Sequence, residues 1–437
     1  MMELLDLAIK ESEALGVKEV LVSYRFIRKL RAEVENNEVT RANQSVEKRI
    51  AITVIVGKRL ATAVTTIASR EEVLRAVQTA VSMAKASKPN KYWSELPDPK
   101  PLPNIRKLYD KNLALLSAGE LAEMAWESVD AALGFDERIS VSDGLVELVV
   151  SERALATSKG FRGEERGTLI WGYLSAVARE HGEVGSFSFS IEASRELKID
   201  FAELGRKVAK LAIESLGAKP VETFEGTLIM DPDVAWTFFS TLSSAYKADN
   251  VWKGSSPLAG KIGESIASKN LTIIDDGTME GGTFSSIFDE EGSPRRKTLV
   301  LNKGVLERYI SNTYVGNILD IEATGNAASL LDVAPTNIVV SPGDMSDEEL
   351  LESVKRGIYI RRFSGDMRFQ DGVVSGVAKQ AFYIENGELK FPVRECMISS
   401  NLYDMLKNIS GVGRKVKKRL NVYTPTIRVE KVKVIGK

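Results

Sequence analysis

Residues 19–67 read EVLVSYRFIRKLRAEVENNEVTRANQSVEKRIAITVIVGKRLATAVTTI. They contain four strand-like runs, 19–26, 30–36, 46–56 and 59–67, rich in β-branched and aromatic residues. Asn36-Asn37 and Gly57-Lys58 punctuate them as turns. Before them, Leu4, Leu5, Ala8, Ile9, Ala14 and Leu15 recur at helical spacing up to Gly16. After them, 69–86 is a second amphipathic helix, opened by Ser69 with Glu72 three residues on. Residues 1–88 are therefore expected to form an N-terminal α+β domain.

Pro89, Pro97, Pro99, Pro101 and Pro103 then mark an extended crossing. A helix is predicted at 117–133, strands at 139–142, 145–150, 152–157 and 168–179, and a helix at 200–216 ending at Gly217. This is a central α+β domain, residues 89–219. From residue 220 the pattern changes. A buried strand at 226–230 leads to Asp231-Pro232-Asp233, which caps a helix running to about residue 248. From 271 onward most segments are short strands. Turns are expected at Asp276-Gly277, Gly281-Gly282, Lys303-Gly304, Asp371-Gly372 and Asn386-Gly387, with helical interruptions at 346–356 and 402–409. The fold class is α+β: two α+β units followed by a largely antiparallel β domain with a few helices, residues 220–437.

The 59 Lys and Arg residues against 60 Asp and Glu leave a net charge of -1, so no global field draws the chain to nucleic acid or an anionic membrane. The apolar run 51–56 is too short to span a bilayer, and the acidic start is unlike a signal peptide. One cysteine, Cys396, excludes an intramolecular disulfide and fits a reducing, cytoplasmic compartment. Scarce glutamine beside abundant Lys, Arg and Glu leans towards a heat-adapted source. The single histidine, His181, decides more. Catalytic zinc takes three protein ligands, usually histidines with a carboxylate or thiolate, and this chain cannot build a His-rich centre.

Other constellations have a chemical and a plainer reading. Asp275, Asp276, Asp289 and Glu290 flank one expected hairpin and offer oxygen ligands for a divalent ion. The plainer reading, turn sequences, is preferred, because the spacing matches no calcium loop. His181 is a candidate general base, but its surroundings read as a solvated turn. Cys396 reads as a small buried hydrophobe. Residues 409–415, ISGVGRK, with Lys417, Lys418 and Arg419, are similar to the turn of a phosphate-gripping helix-hairpin-helix. Lys417 stands where that motif needs a small apolar residue, and a basic strand edge is preferred.

Ordered segments of the last half carry a resemblance: DNVWKGSSPLAGKIGE (249–264), ASKNLTIIDDGT (267–278), FDEEGSPRR (288–296), GVLERYISNT (304–313), ATGN (323–326), YIENG (383–387) and PVRECMISSNL (392–402). With residues 31–38 and 45–56, they make the chain resemble the TldD/PmbA family over nearly its whole length. In that family's catalytic members, a helix before the DNxxxGSS-like segment carries His-Glu and, after three residues, a second His. The histidines bind zinc and the Glu is general base. Those positions are here Phe239, Ser240 and Ser244, and the family's late Cys-Gly-Lys segment has no counterpart.

The resemblance therefore implies the TldE-like, non-catalytic branch. This chain is expected to hold no zinc itself and to pair with a catalytic TldD-like paralogue that does. Together they would degrade short or unfolded peptides, the extended peptide lying along the β domain. Asp249, Asn250, Ser255, Ser256, Asp275, Asp276, Asp289, Glu290, Gly292, Thr324, Gly325 and Asn326 are expected to line the groove. Without its partner the chain is a candidate homodimer. A carboxylate-based hydrolase and a nucleic-acid binder are the alternatives.

Overall fold

The computed structural model describes residues 1–436. Its first half contains helices α1 (Met2–Ala14), α2 (Arg70–Ala86), α3 (Lys111–Leu115), α4 (Ala118–Leu133) and α5 (Phe201–Ile213), with strands β1 (Glu19–Glu35), β2 (Glu38–Val56), β3 (Arg59–Thr65), β4 (Ile139–Thr157), β5 (Arg162–Glu180), β6 (Glu183–Val184) and β7 (Ser188–Ser194). Side-chain caps start the helices where the sequence places them. Ser69 Oγ accepts from Glu72 N, Asp200 accepts from Glu203 N, and Ser117 and Glu120 form a reciprocal capping box.

The seven strands make one sheet, in the order β3-β2-β1-β4-β5-β6, with β7 also on β5. Its central pair is β1 with β4, from Leu21 opposite Thr157 to Glu35 opposite Asp143, so the sheet continues across the proline-rich segment. The runs 19–26 and 30–36 are one strand, as are 139–142, 145–150 and 152–157. Hydrophobicity lapses at Arg28 and Lys29, which are half-buried, while the backbone ladder runs on. Asn36 and Asn37, both at positive φ, close the β1–β2 hairpin. Even-numbered positions of β1 face the helices. Val20 and Val22 pack on α1 and α2, and Leu30, Ala32 and Val34 pack on α4 and α5.

The C-terminal part has strands β8 (Phe224–Met230), β9 (Ile273–Asp276), β10 (Lys297–Asn302), β11 (Val305–Leu306), β12 (Ile338–Val340), β13 (Arg356–Met367), β14 (Val373–Glu385), β15 (Glu388–Val393), β16 (Cys396–Asn401), β17 (Ile409–Val412), β18 (Lys417–Arg419), β19 (Val422–Thr424) and β20 (Ile427–Ile435). Its helices are α6 (Pro232–Ala245), α7 (Ala248–Trp252), α8 (Thr313–Leu319), α9 (Asp347–Glu352) and α10 (Leu402–Lys407). Two sheets result, β11-β10-β9-β12-β19-β18 and β13-β8-β20-β16-β14-β15, with β17 on β20. Pairing is mostly antiparallel; β8–β13 and β12–β19 are parallel. Lys303-Gly304 and Asn386-Gly387 close two-residue hairpins with both residues at positive φ.

Two sequence expectations are corrected here. Asp276-Gly277 is not a tight hairpin turn: Asp276 pairs with Lys297, and all of 277–296 forms the connection. The helix-hairpin-helix reading of 409–415 also fails. After α10 the chain enters β17, and Lys417–Arg419 is a strand paired with β19, so no second helix follows the turn.

Candidate functional site

α6 begins where Asp231 Oδ1 accepts from Asp233 N at 2.9 Å and Pro232 occupies the first turn. One face of α6 belongs to the main core: Ala235, Phe238, Phe239, Leu242 and Ala245. The other, with Trp236, Thr237, Ser240, Thr241 and Ser244, is half-buried. Phe239 is 0% exposed and meets Phe238 edge to face, centroids 5.3 Å apart. Position 239 thus contributes to packing and has no lone pair to offer. Ser240 and Ser244 carry short hydroxyls, and their carbonyls accept from Ser243 Oγ (2.6 Å) and Asn250 Nδ2 (2.8 Å). This donor set does not fit a zinc ion. Among the described residues no group of three or more His, Cys, Asp and Glu is arranged to hold a metal.

Residues 249–256 close the loop beneath α6. Buried Asp249 pairs through Oδ2 with Lys253 (3.3 Å) and Lys247 (3.6 Å), Ser255 Oγ donates to Asn250 O, and Ser256 Oγ donates to Ala245 O.

The acidic residues gather around the connection 277–296, each held by donors of the protein. Asp275 accepts from Asn326 Nδ2 (2.8 Å), Thr336 N (2.7 Å) and Thr336 Oγ1 (2.7 Å). Asp276 accepts from Thr278 N and Oγ1. Asp289 accepts from the backbone of Glu291, Ser293 and Ala327. Glu290 reaches the first sheet, 2.6 Å from Arg25 and 3.1 Å from Arg153. Thr324 Oγ1 accepts from Ser311 N (2.7 Å) and donates to Asn326 Oδ1 (2.7 Å). Gly325 lies at φ +72, and a Cβ there would be 2.2 Å from Pro294 O. Gly292, at φ +89, lies under the Phe161 ring. The family-motif residues therefore lock a loop.

Burial pushes the Asp275 and Asp289 carboxyls above their ordinary range. Glu291 goes up to about 8, through burial and then the Asp289 charge. Sequence reasoning did not single out Glu291, although it lies within FDEEGSPRR; it accepts from Thr313 N (3.0 Å) and Thr313 Oγ1 (2.7 Å).

Two arginines were also missed. Arg153 pairs with Glu165 and Glu290, donates to Phe288 O and stacks on the Phe288 ring at 4.1 Å. Arg195 donates to the carbonyls of Gly282 (2.7 Å), Thr283 (2.8 Å), Ser285 (2.8 Å) and Leu108 (3.1 Å). No local pattern announces either, because their partners lie far off in sequence. His181 is exposed in the β5–β6 turn. Cys396 is buried in the core, which pushes its thiol up to about 11.

Odd-numbered residues of β1 face away from the helices. Beyond Arg25 this side carries Ile27, Lys29 and Arg31, beside Val149 and Glu147 of β4 and Trp171 and Tyr173 of β5. Trp171 stacks on Tyr173 at 6.4 Å, and Tyr173 lies 5.4 Å from Phe189. Glu147 holds this surface by accepting from Trp171 Nε1 (3.1 Å) and Arg31 Nη2 (2.8 Å). No helix is long and apolar enough to cross a membrane among the described residues.

Models of PmbA/TldA metallopeptidase domain 1, central domain and C-terminal domain match residues 21–84, 111–216 and 223–436. A metalloprotease of Methanothermobacter thermautotrophicus is 32% identical over 292 residues, 62% of this chain and 63% of that protein. A metalloprotease of Methanocaldococcus jannaschii is 29% identical over 404 residues, 87% of this chain and 88% of that protein. The crystal structure of TldE from Thermococcus kodakarensis superposes with a TM-score of 0.93 at 27% identity, covering 99% of this chain and 100% of that one. With its three domain models matched in order, the chain belongs to the PmbA/TldA metallopeptidase family, in which the segments from 249 to 402 had placed it as TldD/PmbA.

Proposed function

We propose that this chain is the non-catalytic, TldE-like subunit of a two-subunit zinc peptidase acting on short or unfolded peptides. The observation that carries this reading is α6: Phe239 is core, and Ser240 and Ser244 offer only hydroxyls at the family's zinc and general-base positions. Polarisation of the scissile carbonyl and activation of water by zinc belong to a TldD-like paralogue. This chain supplies a wall of the chamber, including the open sheet face with Trp171, Tyr173 and Phe189. Extended peptide is held by strand addition along its β domain. The assembly is cytoplasmic, consistent with a lone thiol kept in the core. Without its partner the chain self-associates as a homodimer.

The test is to purify the chain alone and together with a co-expressed paralogue carrying the His-Glu helix, then measure zinc content and cleavage of unstructured peptides. Zinc and cleavage are expected only in the two-chain preparation. Stoichiometric zinc with peptidase activity in the isolated chain overturns the proposal.

A further inference from the structure

A cavity of about 460 Å³ opens where the central unit meets the last sheet, within the range of small-ligand sites. One wall is β6, the turn after it and the end of α5, with Glu183, Ser186 and Ser215; the other is β14 with residues 392–395. On one edge of β14 the ladder is interrupted here, while its register with β13 runs on. Ala381 pairs with Val393 of β15 and Ala378 with Cys396 of β16, leaving Lys379 and Gln380 in the gap between them.

Gln380 occupies the left-handed region at φ +50, which a non-glycine residue in a strand adopts only when its surroundings enforce it. Its backbone N donates to Ser186 Oγ at 3.4 Å, and the residue is 4% exposed. Its Nε2 has no hydrogen-bond partner among the described residues. That nitrogen has no surface open to the cavity, so it marks strain at this irregularity in the strand and is not a ligand contact.

The cavity's charges are divided between its walls. Lys379 and Glu395 lie 3.7 Å apart and answer each other. Glu183 on the central-unit wall and Arg394 on the opposite wall have no ion-pair partner among the described residues. We infer that this junction binds a small zwitterion, a free amino acid or dipeptide. Its ammonium faces Glu183 and its carboxylate faces Arg394. The site is separate from α6 and does not depend on the proposed peptidase partnership.

Isothermal titration of the full chain with each of the twenty amino acids and with alanyl-alanine tests this. N-acetyl-alanyl-alanine amide, which lacks both charges, is the control. Saturable binding is expected for at least one uncapped ligand, with the capped peptide about tenfold or more weaker. Glu183→Gln and Arg394→Gln lie at half-exposed and exposed positions and should leave the melting temperature in place while weakening binding by a similar factor. A free amino acid that binds as tightly as alanyl-alanine identifies the single residue as ligand; a dipeptide preference identifies the longer span. The inference is overturned by no binding of any uncapped ligand up to about 10 mM, a Kd already near the weak limit of specific recognition. It is equally overturned by equal binding of the capped peptide, or by unchanged affinity in both charge variants.

Discussion

Restoring the family's ligands at α6 should cost stability at one position and almost none at the other two. Phe239→His replaces a ring that is 0% exposed and in edge-to-face contact with Phe238. Truncating a buried Phe costs about 3–5 kcal/mol. Imidazole refills part of that volume but must desolvate its ring N–H, adding about 1–3 kcal/mol. The net expectation is a loss of about 3–4 kcal/mol, a large fraction of the roughly 5–15 kcal/mol that holds a domain together. Ser240→Glu and Ser244→His are half-buried and should each stay within about 1 kcal/mol. Guanidinium denaturation followed by tryptophan fluorescence measures the free energies, and elemental analysis of the dialysed triple variant measures zinc. The triple variant should bind no stoichiometric zinc and cleave no peptide, because the thiolate and the supporting hydrogen bonds are also missing. A Phe239→His loss below about 1 kcal/mol, together with one zinc per chain, would falsify the assignment of position 239 to the core.

Three further outcomes follow from the loop 277–296. Gly325→Ala places a Cβ 2.2 Å from Pro294 O at φ +72, so the backbone must shift; a loss of about 2–4 kcal/mol is expected in the same denaturation experiment, and a neutral result would contradict the geometry. Glu291 has a folded-state pKa raised to about 8, so in the folded chain it stays protonated where the unfolded chain has already ionised. Its contribution is therefore full below about pH 4.5 and lost as pH rises through about 8. Between pH 5 and 9 the melting temperature of Glu291→Gln should fall less than that of the parent; parallel curves would sink this. Arg153→Met removes a cation that is 15% exposed between Glu165 and Glu290, and leaves part-buried Glu165 without its ion pair and Glu290 with Arg25 alone. A loss of about 2–3 kcal/mol and earlier proteolysis within 277–296 are expected, whereas an unchanged digestion pattern would show that Arg153 does not hold the loop.

Much of this was legible in the sequence because its causes are local. Ser69, Ser117, Asp200 and Asp231 announce helix starts by hydrogen bonds spanning two or three residues. Lys303-Gly304 and Asn386-Gly387 announce hairpins by their own backbone conformations. The identity of positions 239, 240 and 244 needed only a count along the chain. What escaped depends on contacts distant in sequence. The continuity of β1 past Arg28 is fixed by the ladders to β2 and β4, not by its own hydrophobic pattern. The acidic segments look like ligands in isolation; only the folded chain shows Asp275 saturated by Asn326 and Thr336 and Glu290 taken by two arginines of the first sheet.

Arg195 carries a consequence for biosynthesis. Its guanidinium gathers carbonyls from residues 108, 282, 283 and 285, and it leaves the ribosome nearly ninety residues before the last three. The nascent first sheet therefore presents a finished docking fork before the acidic loop is translated, and the loop condenses onto an existing template. A circularly permuted gene that places residues 220–437 first would reverse that order, and its product should refold from denaturant normally yet accumulate poorly in cells.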